Sequence, residues 1–529
     1  MALTKAKTIY GEVEGVALSG RNEGLTEFKG IPFALPPVGD LRWAPPQRPR
    51  EWEGVRLCDH DAPAAMQPQI GPNGMAVNSS EDCLYLNVIT GAESDKERRP
   101  VFIWLHGGGL TVGSVHNSTD RLASLARQGI VVIQLAQRLN VFGCLSLPQL
   151  SKEQGGKSGN YILMDLLMGF EWVCANAAAF GGDVENITVG GTSGGTIKAC
   201  ALAASPATLG KIKRVVNLSG LQWLRENPGQ AEAEELGRNY LKLIGQDADA
   251  PLEELRKIPA QQLLGENISV YDMPDYLVSD ENLFPGNFRH NFDKNLSHID
   301  FLNTCTSGEA DEFARKRTKP GDYSMLRNRD EFYAHFKELL GELYEKYDFE
   351  NLVVVSDQTA GEVGARLASL GLAMPGKSNP ERDVMVNRIF GKYLEKEGKD
   401  GKAYVAYISR PIPPRENDPK PLPKRLEKML AHGGDASYVF ATAIPELPPK
   451  RDWSEEDQKI AVAYNRYLGN FIKTGDPNEP GLPHWSPANE NYGYLEVGDN
   501  LITREGLTGK LDQLILEFTS GLYGIGEYC

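Results

Sequence analysis

The chain has 529 residues, more than one ordinary core accommodates, since single cores stop growing at roughly 250–300 residues. Acidic residues outnumber basic ones 71 to 56, giving a net charge of −15, which opposes binding to nucleic-acid backbones or anionic lipid. Hydrophobic residues at 41% and charged residues at 24% match a globular protein, and no uninterrupted apolar run reaches the roughly 20 residues that span a bilayer, which argues against an integral membrane segment.

The N-terminus, MALTKAKTIYGEVEGVALSG, carries no apolar stretch of signal-peptide length, which favours the cytoplasm. A mature secreted chain restarted with a methionine reads the same way, so the compartment stays open. The seven cysteines are too scattered for a disulfide scaffold and lack zinc-ligand spacing. Cys144, Cys174 and Cys200 lie in apolar stretches and are expected to be buried small hydrophobes.

In chain order, Pro100–Leu105 (PVFIWL) and Gly129–Leu135 (GIVVIQL) are short apolar runs that predict strands buried on both faces of a parallel sheet. From Tyr161 to Ala179, apolar residues at 163, 166, 167, 170, 173 and 177 recur at helical spacing, with Phe180-Gly181-Gly182 as a stop. Ile187-Thr188-Val189 predicts a strand, residues 190–195 (GGTSGG) a tight turn, and 196–204 (TIKACALAA) a helix. Residues 334–347 predict one amphipathic helix, and Ile460, Tyr464, Tyr467, Leu468 and Phe471 line another that ends at Gly475-Asp476-Pro477. The prolines of 412–423 predict an exposed loop.

The strand–turn–helix around Gly191-Thr192-Ser193-Gly194-Gly195 is the context that G-x-S-x-G requires, and it makes Ser193 the candidate nucleophile. The run His106-Gly107-Gly108-Gly109 follows directly on PVFIWL. Glycines there let backbone N–H groups approach the oxyanion that forms when an ester carbonyl is attacked. Gly108, Gly109 and Gly194 are the candidate donors.

With these motifs the chain resembles the type-B carboxylesterase/lipase family, which includes cholinesterases, liver-type carboxylesterases and bacterial para-nitrobenzyl esterases. The likeness runs nearly end to end: residues 28–34 (FKGIPFA) with 36–39 (PPVG), residues 81–88 (EDCLYLNV), residues 180–188 (FGGDVENIT) and residues 473–478 (KTGDPN). It implies an α/β-hydrolase fold, with a large, mostly parallel sheet flanked by helices. One domain would cover 1–529, and helical insertions near 225–300 and 315–430 would bound a substrate gorge.

The family order of nucleophile, acid and histidine directs the search for partners. Residues 306–313 (TSGEADEF) resemble the family's acidic segment, making Glu309 the acid candidate, with Asp311 and Glu312 as competitors. Three of the eight histidines follow Glu309. His432, in 431–440 (AHGGDASYVF), resembles the family's histidine loop and is the candidate base. His335, in an amphipathic helix, and His484, beside Trp485, are expected to be surface or packing residues. Cys58 and Cys83 match the family's first disulfide, which implies an oxidising compartment.

The implied reaction attacks a small-molecule ester with Ser193 and needs no metal or organic cofactor. The chain departs from the family at Thr192 and Gly194, which flank the serine where glutamate and alanine are usual, at Ala136 and Gln137, and at Ala310. Loss of a carboxylate at 192, and the absence of Trp between Cys58 and Cys83, argue against a quaternary-ammonium substrate. Lactone, amide, carbamate or acyl-transfer chemistry remains an alternative use of the same residues. A non-catalytic adhesion module of neuroligin type is another.

Overall fold

A computed structural model of the protein describes residues 1–68, 78–116, 118–309, 326–373, 382–416 and 427–529. They fall into two compact units, Met1–Val216 with Arg225–Leu296, and Asn217–Leu224 with Ser297–Cys529.

In the first unit the strands Thr26–Pro32, Tyr85–Thr90, Val131–Leu135, Arg99–Leu105 and Gly182–Thr192 lie side by side in that order. Arg99–Leu105 runs parallel to both of its neighbours, while Tyr85–Thr90 is antiparallel to Val131–Leu135 and to Thr26–Pro32. Val101–Leu105 and Val131–Leu135 are buried at every position, as continuous apolar runs must be when both faces of a sheet are covered. Gly191 pairs with Leu105, so the segments that follow these two parallel strands, 106–109 and Ser193, leave the sheet at the same carboxyl edge.

The helix Tyr161–Asn176 continues as a 3-10 turn to Phe180 and stops at Gly181 (φ 80°), as its periodicity predicts. Tyr161–Phe180 is long and apolar enough, by length and composition, to cross a membrane. Asp165 and Glu171 interrupt the apolar run and hide this in the sequence. Within the unit Asp165 is fully buried and takes a two-pronged ion pair from Arg138 (Nε–Oδ2 2.9 Å, NH2–Oδ1 2.7 Å).

In the second unit, Asp300–Thr306, Ala403–Ile408 and Tyr494–Val497 are consecutive parallel strands, edged by antiparallel Leu501–Arg504. The stretch 315–430 therefore contains a sheet strand, Ala403–Ile408, besides its helices. The single helix expected over 334–347 is instead two, Arg329–Leu340 and Glu342–Lys346, because Gly341 at φ 55° breaks the backbone while the apolar spacing carries on across it. Glu455–Thr474 forms as expected, opened by a Ser454/Asp457 capping box and closed by Gly475 at φ 82°. Residues 412–416 form a loop with one bridge, Arg415 to Arg451, and the rest of the proline cluster lies largely outside the described residues.

Candidate active site

Ser193 joins the strand Gly182–Thr192 to the helix Gly194–Ala204 with φ 54° and ψ −125°. A side-chain-bearing residue there stores about 1–3 kcal/mol, a cost that persists only when its surroundings impose it. The surroundings are glycines. A Cβ on Gly191 would stand 2.4 Å from the Gly195 carbonyl carbon, and one on Gly195 would stand 2.2 Å from the Leu105 oxygen. The Thr196 amide and hydroxyl both donate to the Ser193 carbonyl (2.9 and 2.6 Å), closing the first helical turn.

The glycine loop packs onto that turn. A Cβ on Gly194 would lie 2.1 Å from the Gly109 oxygen, so the two backbones touch and alanine does not fit at 194 without movement. Gly108 and Gly109 take φ of 98° and 64°. The Val112 amide donates to the Gly108 carbonyl (3.0 Å), the Asn140 amide to the Leu110 carbonyl (2.7 Å), and the Leu110 amide to Asp275 Oδ1 (2.9 Å). Ser193, Gly108, Gly109 and Gly194 are thus gathered in the first unit. The orphan N–H groups of a helix start add to a site suited to an anion.

In the second unit Glu309 and His432 meet, with Nδ1 2.6 Å from Oε2. Glu309 follows the strand Asp300–Thr306, and its Oε1 accepts the Thr306 amide (3.2 Å). The two loops are knitted by the Gly308 amide on the Leu430 carbonyl (2.9 Å) and by the Leu430 amide on Ser307 Oγ (2.9 Å). Burial would raise the Glu309 carboxyl, but the His432 ring, and then Arg382 at 3.8 Å, outweigh it and hold the group at about 2. Asp435, three residues after His432, is buried and accepts the Thr304 hydroxyl (2.8 Å), and burial pushes its carboxyl up to about 6.

Ala310 and the competing carboxylates Asp311 and Glu312 lie outside the described residues. His335 packs its ring against Phe336 on the helix Arg329–Leu340, and His484 is exposed in a loop. Cys58 and Cys83 are both buried, and each is a free thiol in this structure. Each is accommodated as a small hydrophobe, and burial raises the Cys58 thiol to about 11. Cys144 and Cys200 are buried as expected, whereas Cys174 is only partly so.

Lys198, Asp275 and Arg382 escaped the sequence reading. Lys198 had a signal, as the lone charge in TIKACALAA. Asp275 and Arg382 stand in no local motif.

Residues 3–513 match the model of the carboxylesterase family. A fumonisin B1 esterase of Sphingopyxis macrogoltabida is 39% identical over 94% of this chain and 87% of its own length. Liver carboxylesterase 1 of Oryctolagus cuniculus is 28% identical over 93% and 89%. The structure of a PNB esterase superposes with a TM-score of 0.70 at 21% identity, covering 97% of this chain and 99% of that one, which shows a shared α/β fold on a large mixed, mostly parallel sheet. The chain therefore belongs to the carboxylesterase family of α/β-fold ester hydrolases.

Proposed function

We propose that the protein hydrolyses small to medium uncharged carboxylic esters through an acyl-enzyme on Ser193. A serine hydroxyl is a weak nucleophile near neutral pH and needs a base. In this reading His432 takes the Ser193 proton as the oxygen attacks the ester carbonyl, then returns a proton to the leaving alcohol. Glu309 orients the imidazole and stabilises its charged form without taking the proton. The N–H groups of Gly108, Gly109 and Gly194 receive the negative charge that develops on the carbonyl oxygen. Water then releases the acid by the same route. The two compact units belong, in this reading, to one catalytic domain, since a single family model runs through both.

The observation that carries the proposal is the strained backbone of Ser193 at the start of a helix, with the glycine loop in van der Waals contact beside it. A preference for uncharged esters is supported by Thr192, which leaves no carboxylate beside the nucleophile to attract a cation. The relative named as a fumonisin B1 esterase is more similar than liver carboxylesterase 1, 39% against 28% identity, so fumonisin B1, which carries free carboxylates and an amine, is the charged ester that tests this preference.

The test is turnover of p-nitrophenyl esters and fumonisin B1 by the wild type and Ser193→Ala, with a fluorophosphonate probe mapped by peptide mass spectrometry. We expect an adduct on Ser193 in the wild type, and a folded variant without turnover. Activity retained in Ser193→Ala would remove the nucleophile assignment. A folded wild type that takes no probe would favour the adhesion-module alternative. Product analysis separates hydrolysis from acyl transfer.

A further inference from the structure

The peptide group that carries the Gly109 N–H also carries the Gly108 carbonyl. In a planar trans peptide the two point in opposite directions, so whatever fixes the carbonyl aims the amide. The Gly108 carbonyl accepts the Val112 amide (3.0 Å). That amide shares its own peptide group with the Thr111 carbonyl, which accepts Asn140 Nδ2 (2.9 Å). Asn140 thus stands at one end of a hydrogen-bonded chain that passes through two peptide groups. At the other end is the Gly109 N–H, one of the three donors proposed for the oxyanion.

Asn140 is fully buried and takes φ 47°, a left-handed backbone that asparagine adopts more readily than most side chains. Its Nδ2 also donates to the Met66 carbonyl (2.8 Å), and two carbonyl oxygens facing one end of the amide identify that end as the nitrogen. Its backbone amide holds the Leu110 carbonyl (2.7 Å), so three bonds tie this residue to 110, 111 and 66. Gln67, 1% exposed, fastens the far end of the same loop. Its Oε1 accepts the Gly113 amide and its Nε2 donates to the Gly113 carbonyl, both at 2.9 Å. All of these residues belong to the first unit.

We propose that Asn140 and Gln67 are positioning residues for ester hydrolysis, which hold the segment 108–113 so that the Gly109 amide is aimed before an oxyanion forms. Pairing buried carbonyls would by itself stabilise the fold. The path to Gly109 adds a consequence for the reaction, because each hydrogen-bonded peptide group polarises the next and strengthens the donor at the end of the chain. This inference rests on the Ser193 reading above.

The experiment compares the wild type with Asn140→Gly, which suits the left-handed backbone and removes only the side chain, and with Gln67→Met, which keeps the length and removes the polar atoms. Each is assayed on a p-nitrophenyl ester, with active sites counted by the fluorophosphonate adduct and melting followed by circular dichroism. Each is also inhibited with an alkyl trifluoromethyl ketone, whose carbonyl carbon bonds the Ser193 oxygen to give a tetrahedral oxyanion while the serine proton passes to His432. Expected are a fall in kcat per labelled site of about tenfold in Asn140→Gly and about threefold in Gln67→Met, with KM within about twofold. The inhibition constant of the ketone should rise by the same factor as kcat falls, since both report on the oxyanion.

A merely structural role would lower the melting temperature and leave kcat per labelled site and the inhibition constant unchanged, which overturns the proposal. A loss of kcat without the matching rise in the inhibition constant also overturns it. An adduct on a residue other than Ser193 in the wild type, or none, removes the nucleophile reading and this inference with it. Should Asn140→Gly not fold, Gln67→Met decides the same question by the same two ratios.

Discussion

Glu309 accepts from His432 over 2.6 Å while being only 3% exposed, so its charge depends on that ring and on Arg382 for the solvation it has lost. In the proposed mechanism Glu309→Gln presents an amide to the imidazole and favours the wrong tautomer. We expect a kcat loss on the order of 10⁴-fold with the protein still folded, measured on a p-nitrophenyl ester. Unchanged turnover would move the acid elsewhere, Glu312 being the first candidate. The same residue makes a pH prediction. Its carboxyl sits at about 2 in the folded state against an ordinary 4.5, so the unfolded chain binds the proton first. The stabilisation is fully present above 4.5 and is lost as pH falls toward 2. Acid unfolding followed by circular dichroism should be less steep over that window in Glu309→Gln than in the wild type.

At the scale of elements, the strand–turn–helix at Gly182–Thr192 and Gly194–Ala204 works because glycines admit backbone where side chains would stand. Gly194→Ala tests this, since the new Cβ would meet the Gly109 oxygen at 2.1 Å. The loop has to retreat, so we expect destabilisation of about 1–3 kcal/mol in urea titration, together with lower kcat. Full activity and stability in that variant would show that the loop yields without consequence. The long helices and the buried strands were legible because burial writes a period of 3.6 or an unbroken apolar run into the chain. The break at Gly341 was not, because the apolar period of residues 334–347 passes through it and only the backbone angle departs.

At the scale of the whole molecule, packing joins segments that the chain keeps far apart. In the second unit Trp223, fully buried, stacks its indole among Phe390, Tyr393 and Tyr528, with ring centroids 5.5, 5.1 and 5.8 Å away. Trp223→Ala should cost about 3–5 kcal/mol and lower the melting temperature in calorimetry; an unchanged transition would mean that the rings close over the cavity. No local pattern announces such a cluster. By itself the sequence determined the α/β class and the candidate Ser193, because short-range sterics and spacing leave their mark in neighbouring residues, while its resemblance to the carboxylesterase family pointed to Glu309 and His432. Only the tertiary structure decided that Cys58 and Cys83 are both buried, that Arg382 stands beside Glu309, and that Lys198 shares its burial with Gln137 and His106. Those outcomes depend on distances between residues remote in the chain, and burial and the local dielectric are properties of the fold that no window of sequence contains.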